Sequence, residues 1–331
     1  MKYYLAPLEG ITTYIYRNAY HSIFCPMDKY FTPFIVPRMK KSMGKREIND
    51  ILPEHNQGLY VVPQLLTNKA EDFIKAVHKL MDYGYEEVNL NLGCPSGTVV
   101  ARNKGSGFLS QPEELDRFLD EIFSKLSIRI SIKTRIGRDS PEEFAHLLEI
   151  FNRYPLAELI IHPRIREDYY RNKPNLAVFG EAAACSRSPV CYNGDIFIRK
   201  DYETLIEKFP GLTTVMLGRG IIANPCLRSE LTDSKGAEHG QKEEASQIET
   251  TELFQKFHMR LYTDYQEFNF GESNVLFKMK EVWSYMVQSF SNYEKYAKKI
   301  RKAESFRTYE AAVNALFREQ KVMSGKGFVI T

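Results

Sequence analysis

Residues able to do chemistry recur at the ends of apolar runs. Asn89 and Asn91 lie in the run Glu87–Leu92, which leads into Gly93-Cys94-Pro95 and sets a thiol on a constrained bend just past a strand end. Gly105 and Gly107 follow. Lys133 and Arg135 close the next apolar run, His162 and Arg164 the one after, and Gln64 an earlier one. The last two runs end in Asn193-Gly194-Asp195 and Gly218-Arg219-Gly220. Residues two apart on a strand share a face, so each pair points one way. A lone Cys-Pro is ordinarily a small buried cysteine beside a turn. Amide, imidazole, cation and thiol groups gathered at one set of strand ends describe a reactive mouth.

The elements that must carry this mouth alternate in type. Strands are expected near Tyr3–Ala6, Tyr30–Val36, Leu59–Leu65, Glu87–Leu92, Ile128–Thr134, Glu158–Ile161, Pro189–Tyr192 and Thr214–Leu217. Helical spacing falls between most of them, over Tyr14–Phe24, Asn68–Tyr83, Pro112–Leu126, Pro141–Tyr154, Leu176–Cys185 and Ile198–Phe209. About eight strand–helix alternations favour an α/β fold of the (β/α)8 TIM-barrel type over a doubly wound sheet. The stretch Pro37–Gly58 is irregular, with a basic patch at Arg38, Lys40, Lys41, Lys45 and Arg46 and one short helix. Composition turns polar around Ser229–Ser246, and helical spacing without strands then covers Gln247–Gln266, Ser273–Phe290, Tyr293–Ala303 and Thr308–Gln320. The expected division is a barrel over residues 1–230, a linker over 231–246 and a small all-α domain over 247–331.

Composition narrows the class. At 331 residues, 43% hydrophobic and 26% charged, the chain builds a core without staples. Five scattered cysteines and seven histidines form no metal-ligand spacing, which predicts reduced thiols in a cytoplasmic protein and no metal site. No apolar run approaches ~18 residues and the first strand starts at once, so neither a membrane span nor a signal peptide is expected. A net charge of +3 permits an anionic partner without demanding one.

Two features point to a phosphate-bearing planar cofactor. The glycine turns at 193–195 and 218–220 follow the last two strands, where barrels commonly hold a phosphate. Lys133 at mid-barrel suits a ring that gains negative charge on reduction, such as a flavin. A Schiff-base lysine of an aldolase is the competing use.

Taken together the motifs resemble the tRNA-dihydrouridine synthases. They are Leu5-Ala6-Pro7-Leu8-Glu9-Gly10, Pro63-Gln64-Leu65, Asn89-Leu90-Asn91-Leu92-Gly93-Cys94-Pro95, Ile132-Lys133-Thr134-Arg135-Ile136-Gly137, Ile161-His162-Pro163-Arg164, Tyr192-Asn193-Gly194-Asp195-Ile196 and Met216-Leu217-Gly218-Arg219-Gly220. Val275–Trp283 resembles that family's helical domain. The resemblance implies an FMN-dependent enzyme that reduces the C5–C6 bond of a uridine in tRNA, with NADPH as transient reductant. Cys94 would be the proton donor. Pro7, Leu8, Glu9, Gln64 and Lys133 would hold the flavin ring, and His162, Asn193, Gly194, Asp195, Gly218 and Arg219 its ribityl-phosphate end. Asn91 would orient the uracil, with Arg135, Arg164 and Arg166 as base or phosphate contacts. Lys278, Lys280, Lys295, Lys298, Lys299, Arg301 and Lys302 would face the RNA, and the protein would act as a monomer. Asn89 and Leu8 depart from residues common in that family (Asp and Met), and Gly97 stands where relatives often carry a basic residue. A flavin barrel acting on a free pyrimidine, such as a dihydroorotate dehydrogenase, is the alternative.

Overall fold

The computed structural model describes residues 1–37, 43–232, 241–268, 271–323 and 325–329, with only the backbone described over 241–247. Arg38, Lys40 and Lys41 of the basic patch, and residues 233–240 of the expected linker, lie outside the described residues. Two compact units form. The first comprises Met1–Pro7, Asp28–Asp195 and Phe209–Met216, the second Leu8–Met27, Ile196–Lys208 and Leu217–Thr331.

Nine strand segments make one sheet: β1 (Lys2–Leu5), β2 (Lys29–Phe31), β3 (Val61–Val62), β4 (Gln64–Leu65), β5 (Glu87–Leu92), β6 (Arg129–Arg135), β7 (Leu159–His162), β8 (Val190–Tyr192) and β9 (Thr214–Leu217). The order across the sheet is β3-β2-β1-β9-β8-β7-β6-β5-β4. Its two ends, β3 and β4, are separated along the chain by Pro63 alone. They are one strand in two pieces: Val61 and Val62 pair back to Tyr30 and Phe31, while Gln64 and Leu65 pair forward to Asn89 and Leu90. The sheet therefore closes into an eight-position parallel barrel, as the alternation predicts. All six residues of β5 are buried, which a strand covered on both faces requires.

Differences from the expected boundaries have local causes. The second strand stops at Phe31 because Pro33 offers no N–H to a ladder; pairing resumes only at Ile35, which bridges to Leu65. The helix expected from Pro141 begins at Glu143, whose carboxylate accepts the backbone N–H groups of Arg138, Asp139 and Ser140 at 2.8, 2.9 and 2.7 Å. The helix expected from Gln247 begins at Gln241, since Gln, Lys, Glu and Ala are all good helix formers.

The strand starts carry an ion cluster that reads as stability. Lys29 Nζ lies 2.9 Å from both Glu87 oxygens and 3.7 Å from Glu158, and Tyr4 donates to Glu158 at 3.1 Å. Burial raises the Glu158 carboxyl above its ordinary range, and the Lys29 ammonium opposes that rise.

In the second unit, helix Tyr14–Ile23 packs on helix Gln241–Glu267 through Tyr16 and Phe24, whose rings meet Phe257 edge-on at 5.3 and 5.2 Å. His258 is buried among Tyr262, Trp283, Tyr309 and Phe317. Among the described residues no helix is long and apolar enough to cross a membrane.

Candidate active site

Parallel register brings the sequence-predicted residues of the first unit side by side. Gln64 sits opposite Asn89, Asn89 opposite Ser131, Asn91 opposite Lys133, and Arg135 opposite His162. The two-residue period puts Asn89 with Asn91, and Ser131 with Lys133 and Arg135, on one face. A single row of polar side chains thus climbs to the strand ends.

Cys94 stands at the top of that row. Its backbone N–H and that of Gly93 donate to Asn91 Oδ1 at 2.9 and 3.0 Å, so one strand residue ties down the bend behind the thiol. Asn91 Nδ2 donates to Gln64 Oε1 at 2.7 Å, and Gln64 Nε2 to Asn89 Oδ1 at 2.8 Å. From the other side the Cys94 carbonyl accepts from Ser106 N at 3.1 Å and Ser106 Oγ at 2.9 Å. Gly105 has φ +56°, and a Cβ there would lie 2.8 Å from the Cys94 oxygen, so only glycine allows this approach. Cys94 is half-buried; none of the five cysteines is in a disulfide, Cys25 and Cys185 being exposed and Cys191 and Cys226 buried.

Lys133 is half-buried, and no described residue forms an ion pair or hydrogen bond with it. Burial pulls its ammonium from 10.5 down to about 8, the Arg135 guanidinium pushes the same way, and the thiols of Cys191 and Cys94 oppose them.

Arg135 and Arg164 are spent on internal partners. They are 2% and 1% exposed. Arg135 donates to the carbonyls of Gly93, Ile165 and Tyr169 at 3.0, 2.7 and 2.8 Å, and its guanidinium stands 5.4 Å from the Tyr170 ring. Arg164 donates to the Asn172 carbonyl and to both Asp195 oxygens. Short strand-to-helix loops leave carbonyls that need buried donors, and a guanidinium supplies several from one side chain. Arg164 Nη1 also lies 3.2 Å from His162 Nε2. A guanidinium only donates, so that ring nitrogen accepts. Arg166 pairs with Glu167 at 3.4 Å.

Asn193 is 6% exposed and donates to the Met216 carbonyl at 2.9 Å. Gly194 is required sterically, since a Cβ there would fall 2.1 Å from the Tyr192 hydroxyl. Pro7 closes the first segment of this unit. Leu8, Glu9, Gly218 and Arg219 belong to the second unit, where Leu8 N donates to Thr12 Oγ1 at 2.8 Å and Arg219 stands over the Phe197 ring at 5.4 Å. In that unit Lys278 holds the Gly10 carbonyl and Glu281, both at 2.9 Å, and Lys280 holds the Ala303 carbonyl. Lys295, Lys298, Lys299 and Lys302 instead line a cavity of about 1080 Å³ with Ser305 and Thr308.

Sequence reasoning passed over Ser131, Ser106 and Thr32. Ser131 Oγ accepts from Asn89 Nδ2 at 2.9 Å, and Thr32 Oγ1 accepts from Gln64 N at 3.0 Å. The signal for Ser131 was available: a hydroxyl two residues before Lys133, on the same face of its strand.

The dihydrouridine synthase pattern matches residues 4–322. A "Probable tRNA-dihydrouridine synthase" of Staphylococcus epidermidis is 28% identical over 247 residues, 72% of this chain and 73% of that one. One from Staphylococcus aureus is 26% identical over 270 residues, covering 80% and 78%. Among solved structures, histamine dehydrogenase from Rhizobium sp. 4-9 superposes with a TM-score of 0.50 at 11% identity, over 70% of this chain and 45% of that one, a likeness of fold alone. Since the family pattern runs through nearly all of its strands and helices, the chain belongs to the dihydrouridine synthase family.

Proposed function

We propose that this chain reduces the C5–C6 double bond of a uridine in tRNA to dihydrouridine, with FMN as its bound group and NADPH as reductant. The observation that carries the reading is a half-buried Lys133, without a counter-ion among the described residues, on the strand beside the one whose loop bears Cys94. The residues suit a flavin. Gln64 keeps one amide N–H after its bond to Asn89, which serves a ring carbonyl oxygen or nitrogen. His162, Asn193, Gly194 and Asp195 extend the same strand ends toward the ribityl-phosphate. Bound there, the flavin supplies the hydride.

The chain's own residues do the rest. Lys133 holds positive charge where the ring gains negative charge, in a setting dry enough to make that charge count. Cys94 Sγ holds the proton that goes to uracil C5. Asn91 orients the uracil through its remaining N–H while its oxygen fixes the Cys94 loop. Arg135 and Arg164 act on the substrate through the 165–172 loop they anchor. A uridine stacked in RNA cannot present C5 and C6, so the base turns out of its stack.

The helical residues 247–331 carry the RNA in this reading. Lys295, Lys298, Lys299 and Lys302 are spaced i, i+3, i+4, i+7 and are all exposed, so one helix face presents a row of ammonium groups suited to phosphates. A tRNA substrate places the work in the cytoplasm.

The test is Cys94→Ala. It retains the flavin absorbance and tRNA affinity, and dihydrouridine formation, read by mass spectrometry of the tRNA, falls about 100-fold or more. Turnover of free uridine or dihydroorotate with unmodified tRNA left untouched would overturn the reading.

A further inference from the structure

We infer that Ser131 and Asn89 are positioning residues that hold Gln64 and Asn91 in the amide polarity dictated by the Gly93 and Cys94 N–H groups, and through Asn91 support the pose of the Cys94 loop. The inference rests on reading these strand ends as the flavin and uridine site.

The hydrogen bonds admit one pattern. Gly93 N–H and Cys94 N–H only donate, so the Asn91 atom they meet at 3.0 and 2.9 Å is the oxygen. That turns Asn91 Nδ2 toward Gln64, whose atom at 2.7 Å is therefore Oε1. Gln64 Nε2 then faces Asn89, whose atom at 2.8 Å is Oδ1. Asn89 is left with Nδ2 toward Ser131, 2.9 Å away, so the hydroxyl accepts and sends its own proton to the Val88 carbonyl at 3.4 Å. Reversing any one amide sets donor against donor or acceptor against acceptor. Gln64, Asn89 and Ser131 are 0% exposed, so no water repairs a mismatch.

The row ends at opposite poles in Ser131 and Cys94, and the amides between them have no other fixed orientation. Their polarity decides whether Gln64 and Asn91 offer a ligand a donor or an acceptor. The Ser131 hydroxyl is needed because residue 89 is an amide. A carboxylate at 89 would accept from Gln64 unaided and require no acceptor beyond it.

That difference supplies the experiment. Wild type, Ser131→Ala, Asn89→Asp and the double variant are compared in FMN affinity by absorbance titration. With FMN removed, the rate of Cys94 alkylation by iodoacetamide is read by mass spectrometry of its peptide, and thermal melting verifies folding. Ser131→Ala weakens FMN binding about tenfold and speeds Cys94 alkylation about fivefold, the loss of one buried partner propagating through the row. The double variant returns both readouts to within about twofold of Asn89→Asp alone, which a packing role for Ser131 would not produce. Should Ser131→Ala not fold, Ser131→Cys, nearly isosteric with a weak acceptor, replaces it with the same expected ordering. A Ser131 variant equal to wild type in both readouts, or a folded double variant as impaired as the single one, overturns the inference. A wild-type protein that takes up no FMN defeats the functional reading instead, and the thiol measurement, which needs no cofactor, still decides the role of Ser131 and Asn89.

Discussion

Arg164 clasps Asp195 through both terminal nitrogens of its guanidinium, one of them 3.0 Å from Oδ1, with the arginine side chain 1% exposed and the aspartate 21%. Removing one partner leaves the other buried and uncompensated, which costs about 3–5 kcal/mol in comparable pairs. Asp195→Ala is therefore expected to lower stability by about 3 kcal/mol in urea titration. Adding Arg164→Met recovers part of that loss, because the stranded charge goes with it.

Lys133 gives a pH signature. Its ammonium is pulled from 10.5 to about 8 in the folded chain, so between these values the unfolded chain binds more protons. This group's contribution to stability accordingly rises with pH across that window. Lys133→Met removes the rise, which pH-dependent denaturation between pH 7.5 and 10 detects. The same variant weakens FMN binding about tenfold, the effect of deleting one cation from a dry pocket.

Gly194 cannot carry a methyl group without moving Tyr192, whose ring meets Phe179 edge-on at 5.0 Å. Gly194→Ala should cost about 1–3 kcal/mol as an overpacking change. Combined with Tyr192→Ala it adds little to the cost of Tyr192→Ala alone, and a double-mutant cycle by thermal melting measures that non-additivity.

His258 is expected to make the helical region sensitive to acid. Burial lowers its imidazole from 6.5 to about 4, and its Nε2 lies 2.9 Å from the Tyr309 hydroxyl, which also accepts from Trp283 Nε1 at 2.8 Å. Stability from this group is complete above pH 6.5 and is lost as pH falls toward 4, by up to about 3 kcal/mol. His258→Phe should flatten that part of the pH profile of the melting temperature.

If the row of lysines on helix Glu294–Lys302 tracks phosphates, affinity for tRNA depends on it through salt. Lys298→Ala with Lys302→Ala should reduce the slope of log affinity against log salt by about 2, one per phosphate contact. Lys278→Ala should act through the Gly10 carbonyl it holds, and so appear in melting before it appears in that slope.

The barrel was legible because its strands are short apolar runs with regular spacing, and the mouth because Gln64, Asn91, Cys94, Lys133 and His162 interrupt those runs at their ends. Period two then predicts which of them share a face. What composition could not convey was how far a side chain's bonding capacity is used internally. Arg135 and Arg164 read as contacts for an anion, yet each serves loop carbonyls that are created only when the chain folds. Ser131 drew no attention because its partner, Asn89, is 42 residues away. Lys278 and Lys280 look like their neighbours at 295–302 until the carbonyls they hold are known.

Pro63 makes the barrel's hoop and its chemistry inseparable. The residue with no donor is where the third strand lets go of one neighbour and takes the other, and the next residue along is Gln64. The clasp that fastens the ring thus also sets the amide proposed to meet the flavin.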